Sequence, residues 1–212
     1  MRRITTHDPT RQLGLAGMLA EAETANQGRR FARDTAHLPG TLKEGIAYYR
    51  GLLARHHAAV LAGDEGEVKR LQKEASDLAI KLNGGQRGYL ADDDAPGCVL
   101  RRRTAARAGK IPLWGQLGSF ILDACDMRVR IEMRGIYGVC GYTSFNAHAV
   151  DLNRPFLSET GYRSFLGYGP GPIPGLTVDV FVARVIESYV KGELRGRLLA
   201  IADQYRSGGS GR

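Results

Sequence analysis

The densest concentration of reactive side chains lies between positions 151 and 168, Asp-Leu-Asn-Arg-Pro-Phe-Leu-Ser-Glu-Thr-Gly-Tyr-Arg-Ser-Phe-Leu-Gly-Tyr. Its polar centre is Ser158, Glu159, Thr160, Gly161 and Arg163. A hydroxyl-rich turn that contains a glycine and precedes a helix start offers backbone N–H groups and side-chain hydroxyls to an anion. Arg163 adds a planar fork for phosphate or carboxylate oxygens. Glu159 has the chemistry of a general base or a magnesium ligand. The reaction these residues suit is phosphodiester or phosphoanhydride hydrolysis, with Glu159 assisting and Arg163 stabilising charge. They also suit, and somewhat better, a capped helix beginning at Ser164-Phe-Leu166, with Arg163 paired to Glu159 and Tyr162 or Phe165 packed inward. Before the turn, Pro155 fixes one φ, and Phe156 and Leu157 have the character of core anchors.

Cationic side chains lie upstream of this stretch. Arg101, Arg102, Arg103, Arg107 and Lys110 fall within ten positions; a helix there would put Arg103 and Arg107 on one face, suited to following a phosphate backbone. The segment lacks interleaved aromatics, and a solvated helix is the competing reading. In Arg128-Val-Arg-Ile-Glu-Met-Arg134 strict alternation puts Arg128, Arg130 and Arg134 on an exposed strand face. The net charge of +8 is uneven. Residues 98–212 carry sixteen basic and nine acidic side chains, residues 1–38 six and four, and residues 39–97 eight and nine. The excess thus sits in the half that holds the polar turn, and a basic domain attracts nucleic acid or acidic protein surfaces. Solubility alone also accounts for such a charge.

Other constellations carry less. Cys140, His148 and Asp151 have the residue types of a nucleophilic triad, but nothing in their spacing fixes a shared face. Asp92, Asp93 and Asp94 precede a proline without the alternate oxygen spacing of a calcium loop, so they read as a solvated turn and no metal site is assigned. His56 and His57 are adjacent and cannot both face one ion from a helix; they read as surface or half-buried side chains. Cys98, Cys125 and Cys140 fit neither a disulfide framework nor a zinc site. No apolar run reaches the roughly 18 residues needed to span a bilayer, and no secretory leader is expected behind the charged N-terminus. A reducing cytoplasm is the expected setting, and no cofactor is specified.

The elements that must position these residues divide the chain into four parts. Residues 1–38 form an arm with one helix within 12–33, weakened by Gly14, Gly17 and Gly28. Residues 39–97 hold a helical hairpin and the acidic loop. Thr41-Leu-Lys-Glu44 is a capping box opening a helix to about Ala62, with Leu42, Ile46, Tyr49, Leu53 and Val60 as its apolar points. Gly63 ends that helix, Asp64 caps the next, and Val68, Leu71, Ala75, Leu78 and Leu82 give the second stripe. So short a connection makes the pair antiparallel. Residues 98–206 are an α+β domain, with Trp114 anchoring its edge and strands expected at 119–123, 128–134, 136–141 and 142–150 in an antiparallel meander. A proline/glycine linker at 167–175 leads to a helix capped by Thr177, which is expected to continue through Leu194, Leu198 and Tyr205 after a bend near Gly192 or Gly196. Residues 207–212 form a flexible tail.

Two resemblances join these readings. The Thr160-Gly-Tyr-Arg163 turn resembles the glycine-x-arginine phosphate loop of the ParB/sulfiredoxin fold, a group that includes partition proteins, nucleases and the plasmid fertility-inhibition factor Osa. The match covers about six residues, without the second arginine of the ParB signature or the sulfiredoxin cysteine. The whole chain is similar in texture to accessory proteins carried on bacterial plasmids and integrative elements. The first resemblance implies a phosphate-bearing ligand and the second a mobile-element setting; with the basic charge, DNA or RNA or another phosphate-bearing ligand is the expected partner, a protein partner the other. The expected fold is α+β, with an N-terminal hairpin, a small antiparallel or mixed sheet and a long C-terminal helix packed on it. The competing function is that of a non-enzymatic interaction protein which inhibits a host-defence or conjugation factor through the hairpin.

Overall fold

The computed structural model describes residues 9–134, 143–168 and 174–206. Helix α1 (Pro9–Asp34) comes first, followed by the hairpin α2 (Leu42–Ala62) and α3 (Glu65–Leu82), and then by the short α4 (Pro96–Arg103). Four strands follow, β1 (Gly118–Ala124), β2 (Met127–Met133), β3 (Thr143–Ala149) and β4 (Tyr162–Tyr168), then α5 (Val178–Gly192) and the single turn α6 (Asp203–Arg206). The sheet is an antiparallel meander in the order β1-β2-β3-β4. The α+β architecture with an N-terminal hairpin is as the sequence predicts. The strand expected at 136–141 and the tail at 207–212 lie outside the described residues, as does most of the proline/glycine linker.

The hairpin forms as its caps dictate. The Thr41 hydroxyl accepts from the Glu44 N–H at 3.3 Å and donates to the Glu44 carboxylate at 2.8 Å. Gly63 closes α2 at φ +72°, and a Cβ there would stand 2.8 Å from Pro174, so this cap takes only glycine. Tyr49, Leu52, Leu53, Leu71, Ala75, Leu78 and, from α4, Leu100 fill the hairpin core. Leu42, placed in the apolar stripe by spacing, is exposed. Glu74 lies within the buried stripe because it accepts from Tyr48 (2.5 Å), Arg55 (2.9 Å) and Arg70 (2.6 Å). Burial pushes its carboxyl up, but those hydrogen bonds outweigh burial and hold it below the usual range. Helix α1 is exposed from Ala16 to Arg30. Its far end is held to the hairpin by buried Leu38 and by Lys81, whose ammonium donates to the Thr35 carbonyl at 2.8 Å and the Leu38 carbonyl at 2.5 Å.

Alternation sets the two sheet faces. Phe120, Val129, Ile131, Met133, Phe145, Ala147 and Phe165 point to one side and pack on Phe181, Val182, Val185, Ile186 and Tyr189 of α5. Phe145 and Phe165 are directly paired across β3 and β4 and stack at 4.7 Å. The β1–β2 turn is Cys125-Asp126, both at positive φ (49° and 60°), which suits the right-handed twist of a two-residue hairpin.

Three sequence expectations change. The helix opening at Ser164 is strand β4, because β3 pairs with it from Tyr162 to Phe165 and again, past a bulge, at Tyr168. Helix α4 stops at Arg103, where the Thr104 hydroxyl donates to the Leu100 carbonyl, so Arg107 shares no helical face with Arg103. Helix α5 stops at Gly192, and Arg195 and Gly196 at positive φ turn the chain back. Leu199 then pairs with Phe156 as an isolated bridge. The Thr177 side chain makes no capping hydrogen bond.

The hairpin and the sheet meet at Trp114, which is buried. Its N–H donates to His57 Nδ1 at 3.1 Å, its carbonyl faces His56 Nδ1 at 3.0 Å, and its indole N–H donates to the Leu176 carbonyl at 2.8 Å. An amide N–H can only donate, so His57 carries its proton on Nε2; a carbonyl can only accept, so His56 carries its proton on Nδ1. The histidines read from sequence as surface or half-buried are therefore one buried and one half-buried. Burial pushes both imidazoles below their ordinary value, and in His56 it outweighs the opposing bond to the Trp114 carbonyl. As pH falls, the unfolded chain binds protons that the folded chain refuses. Stability is therefore full above the ordinary histidine value of about 6.5 and declines below it. The urea midpoint is expected to fall between about pH 7.5 and about pH 5.5, and His57→Gln should reduce that fall; an unchanged midpoint would refute this account.

Candidate functional site

The residues singled out from the sequence fall in three places. The first is the turn ahead of β4. Here the Ser158 hydroxyl donates to the Tyr162 carbonyl at 2.7 Å, and the Thr160 hydroxyl accepts from the Tyr162 N–H at 3.3 Å. The Gly161 N–H bonds the Ser158 carbonyl, and the Ala202 N–H bonds the Glu159 carbonyl at 2.9 Å. Gly161 is buried at φ +72°, and a Cβ on it would meet Leu152 at 3.2 Å and Ile201 at 3.4 Å. The donors expected to hold an anion thus largely serve the turn itself. Glu159 is exposed, and among the described residues no ion pair joins it to Arg163. The Arg163 guanidinium lies 4.6 Å from the centre of the Tyr189 ring, on the α5 side of the sheet.

The second place is the opposite, uncovered face. Directly paired residues in an antiparallel sheet share a face, so the register assembles rows. Ser119, Glu132, Asn146 and Ser164 make one row; Ile121, Arg130, His148 and Tyr162 make the next; Asp123 and Arg128 follow. Arg130 donates to Glu132 at 2.6 Å. His148 Nε2 lies 3.1 Å from the other Glu132 oxygen, close enough for a charge pair but out of line for a hydrogen bond. The Tyr162 and Ser164 hydroxyls both donate to Asn146 Oδ1, at 3.1 and 3.0 Å. The His148 and Tyr162 rings are 5.0 Å apart. Tyr162 is 42% exposed and Ile121 50% exposed.

The third place is the basic segment. Arg101, Arg102 and Arg103 occupy the last turn of α4, where cations complement the helix dipole. Arg101 is half-buried, whereas Arg102, Arg103, Arg107 and Lys110 are exposed. The loop carrying Arg107 and Lys110 runs beside β1, with the Gly109 N–H on the Ser119 carbonyl at 3.1 Å and the Ala106 N–H on the Leu117 carbonyl at 2.8 Å. This places Arg107 and Lys110 at the β1 rim of the sheet that presents Arg128 and Arg130. Arg163 lies on the other face.

Among the described residues no nucleophile is assembled on the open face. The Ser164 hydroxyl is bonded to Asn146, and the carboxylate facing His148 is Glu132. Asp151 instead accepts from the Asn153 N–H at 2.9 Å, within its own turn. Cys140 lies outside the described residues, and no group of three or more His, Cys, Asp or Glu suited to a metal occurs among the described residues. None of the described helices is long and apolar enough to cross a membrane. Sequence reasoning misses the Glu132, Asn146 and Tyr162 cluster because it opens a helix at Ser164 and leaves either Tyr162 or Phe165 to pack inward; strand parity from 162 to 166 is the available signal.

Known proteins add one likeness. The chain is 41% identical over 172 residues to Protein KlcB of Escherichia coli, covering 81% of this chain and 42% of that protein. A second Protein KlcB of Escherichia coli is 33% identical over 177 residues, covering 83% of this chain and 38% of the relative. The chain therefore spans about two fifths of the length of these curated relatives. No protein-family profile matches it, and no solved structure does.

The geometry separates Gly161 from Arg163 as structural parts. Gly161→Ala should lower the unfolding free energy by about 1–2 kcal/mol, because an L-residue pays that much in the left-handed region. Arg163→Ala should cost only about 0.5–1 kcal/mol, the value of an exposed cation–π contact. Urea titration of the two variants tests the order, and an Arg163→Ala loss as large as that of Gly161→Ala would contradict it.

Proposed function

We propose that this chain is a cytoplasmic accessory protein of a mobile genetic element whose basic α+β part binds nucleic acid. The observation that carries the binding is the set of exposed cations Arg102, Arg103, Arg107 and Lys110, none of which has a carboxylate within ion-pair distance among the described residues. By contrast, Arg55 and Arg70 of the hairpin are consumed by Glu67 and Glu74. A cation without an internal partner keeps its field for an external polyanion. The likeness to the KlcB proteins of Escherichia coli supports the accessory-protein part of this reading.

Phosphoester hydrolysis through Glu159 and Arg163 is the catalytic extension of the same reading. It finds less support than binding, because the turn spends its donors internally and Arg163 rests on Tyr189.

Labelled DNA and RNA titrated at about 50 and about 200 mM salt should lose affinity steeply, since each phosphate contact contributes about 0.9 to the logarithmic slope. Replacing Arg102, Arg103 and Arg107 together by alanine should reduce that slope by up to about 3. Absent or salt-insensitive binding would move the function to the interaction protein acting through the hairpin.

A further inference from the structure

The open face of the sheet differs chemically from the basic loop at its rim. Two of its cations are partnered, Arg130 by Glu132 at 2.6 Å and Arg128 by Asp123 at 3.9 Å. A bare phosphate is therefore a poor fit for its centre, where Glu132 would repel it. What the centre does offer is a ring surface beside a hydrogen-bonding pair. Exposed Tyr162 and half-buried His148 are cross-strand neighbours with rings 5.0 Å apart, on the face away from α5. The Asn146 amide is oriented by two hydroxyl donors on its oxygen, which leaves its NH2 group as a donor. Directly across β2–β3 stands Glu132, an acceptor with lone pairs beyond those facing Arg130 and His148. A donor and an acceptor side by side, next to aromatic surface, complement the edge and face of a nucleobase.

We propose that this face seats a single-stranded nucleic acid, with one unstacked base on Tyr162 and His148, its edge read by Asn146 and Glu132, and flanking phosphates drawn to the Arg107–Lys110 rim. This rests on the nucleic-acid reading above and narrows it to single strands. Shape argues for the same occupant. Four strands spaced about 4.8 Å apart set the outer strand axes about 14 Å from one another before side chains are added. The major groove of duplex DNA is about 12 Å wide. A four-stranded face of that breadth does not enter the groove, so its rings reach a base only where the base comes out to meet them. Stacking on side chains tolerates any base and is the means by which sheet surfaces hold unpaired strands.

The test uses the full chain, fluorescein-labelled oligonucleotides of about twelve nucleotides, and the duplex of the same sequence. Anisotropy should show single strands bound at least about tenfold more tightly than duplex. Tyr162→Ala should cost about tenfold on single strands and leave duplex binding within about twofold, while Tyr162→Phe, which keeps the ring, should retain most of the affinity. Circular dichroism melting checks that the exposed Tyr162 is dispensable for folding, and His148→Ala provides the same readout from the neighbouring ring should Tyr162→Ala unfold. Equal binding of single strand and duplex, or single-strand affinity indifferent to both substitutions, would overturn the seat while leaving the basic loop as a polyanion site. Binding of neither form would overturn both readings.

Discussion

The arrangement depends on Trp114. One residue ties α2 and the start of α5 to itself: its backbone is held on both polar atoms by adjacent histidines of α2, its indole N–H by the carbonyl ahead of α5, and its ring by a T-shaped contact with Phe181, centres 5.3 Å apart. The two histidines work because they are in opposite tautomers. Protonating His57 would place an N–H against the Trp114 N–H, and a buried donor without an acceptor costs about 1–3 kcal/mol. The hairpin is thereby fixed against the sheet layer through neutral imidazoles rather than charges, which is why burial and the pair's ionisation are coupled.

Fixing the hairpin at Trp114 decides which sheet face remains open. Helix α5 starts just past the Leu176 carbonyl and lies along the apolar face, where Phe165, Phe181, Ile186 and Tyr189 are buried. Val60 of α2 joins the same core, and the Gly175 N–H bonds the Leu61 carbonyl at 3.0 Å. Hairpin and helix therefore serve one side, and the row of exposed Arg130 and Tyr162 with half-buried His148 is left uncovered by the described helices. The loop after α4 is tied to both layers, because Gln116 donates to the Thr104 carbonyl and Gly109 bonds β1. The basic residues at its tip consequently stand at the rim of the open face, although about twenty residues of sequence separate Arg107 from Arg128.

Local signals were legible and long-range ones were not. The capping box at Thr41, the stop at Gly63 and the alternation of 128–133 each rest on neighbours within four residues, and each is as the sequence predicts. The Trp114 clamp joins positions separated by 57, 58 and 62 residues, and no periodicity encodes that. The stretch 194–205 has helical apolar spacing, yet Leu199 pairs with Phe156, and Arg195 and Gly196 at positive φ make the turn back. Glu74 occupies a core position that hydropathy excludes, because its three donors come from positions 48, 55 and 70.

The polar turn at 158–163 shows how composition can mislead about chemistry. At a helix N-terminus, successive N–H groups point along one axis and converge on a ligand; in a strand they alternate from side to side. The same serine, threonine and glycine therefore make an anion site ahead of a helix and only a well-bonded corner ahead of β4. Here the hydroxyls bond the backbone of Tyr162, the glycine allows the left-handed step against Leu152 and Ile201, and the strand that follows alternates its side chains. That alternation sends Arg163 to Tyr189 and Tyr162 to the open face. The corner's contribution to recognition is accordingly one of parity: a shift of one residue in β4 would exchange the two side chains, carry the tyrosine to the α5 side and leave the open face without its exposed ring.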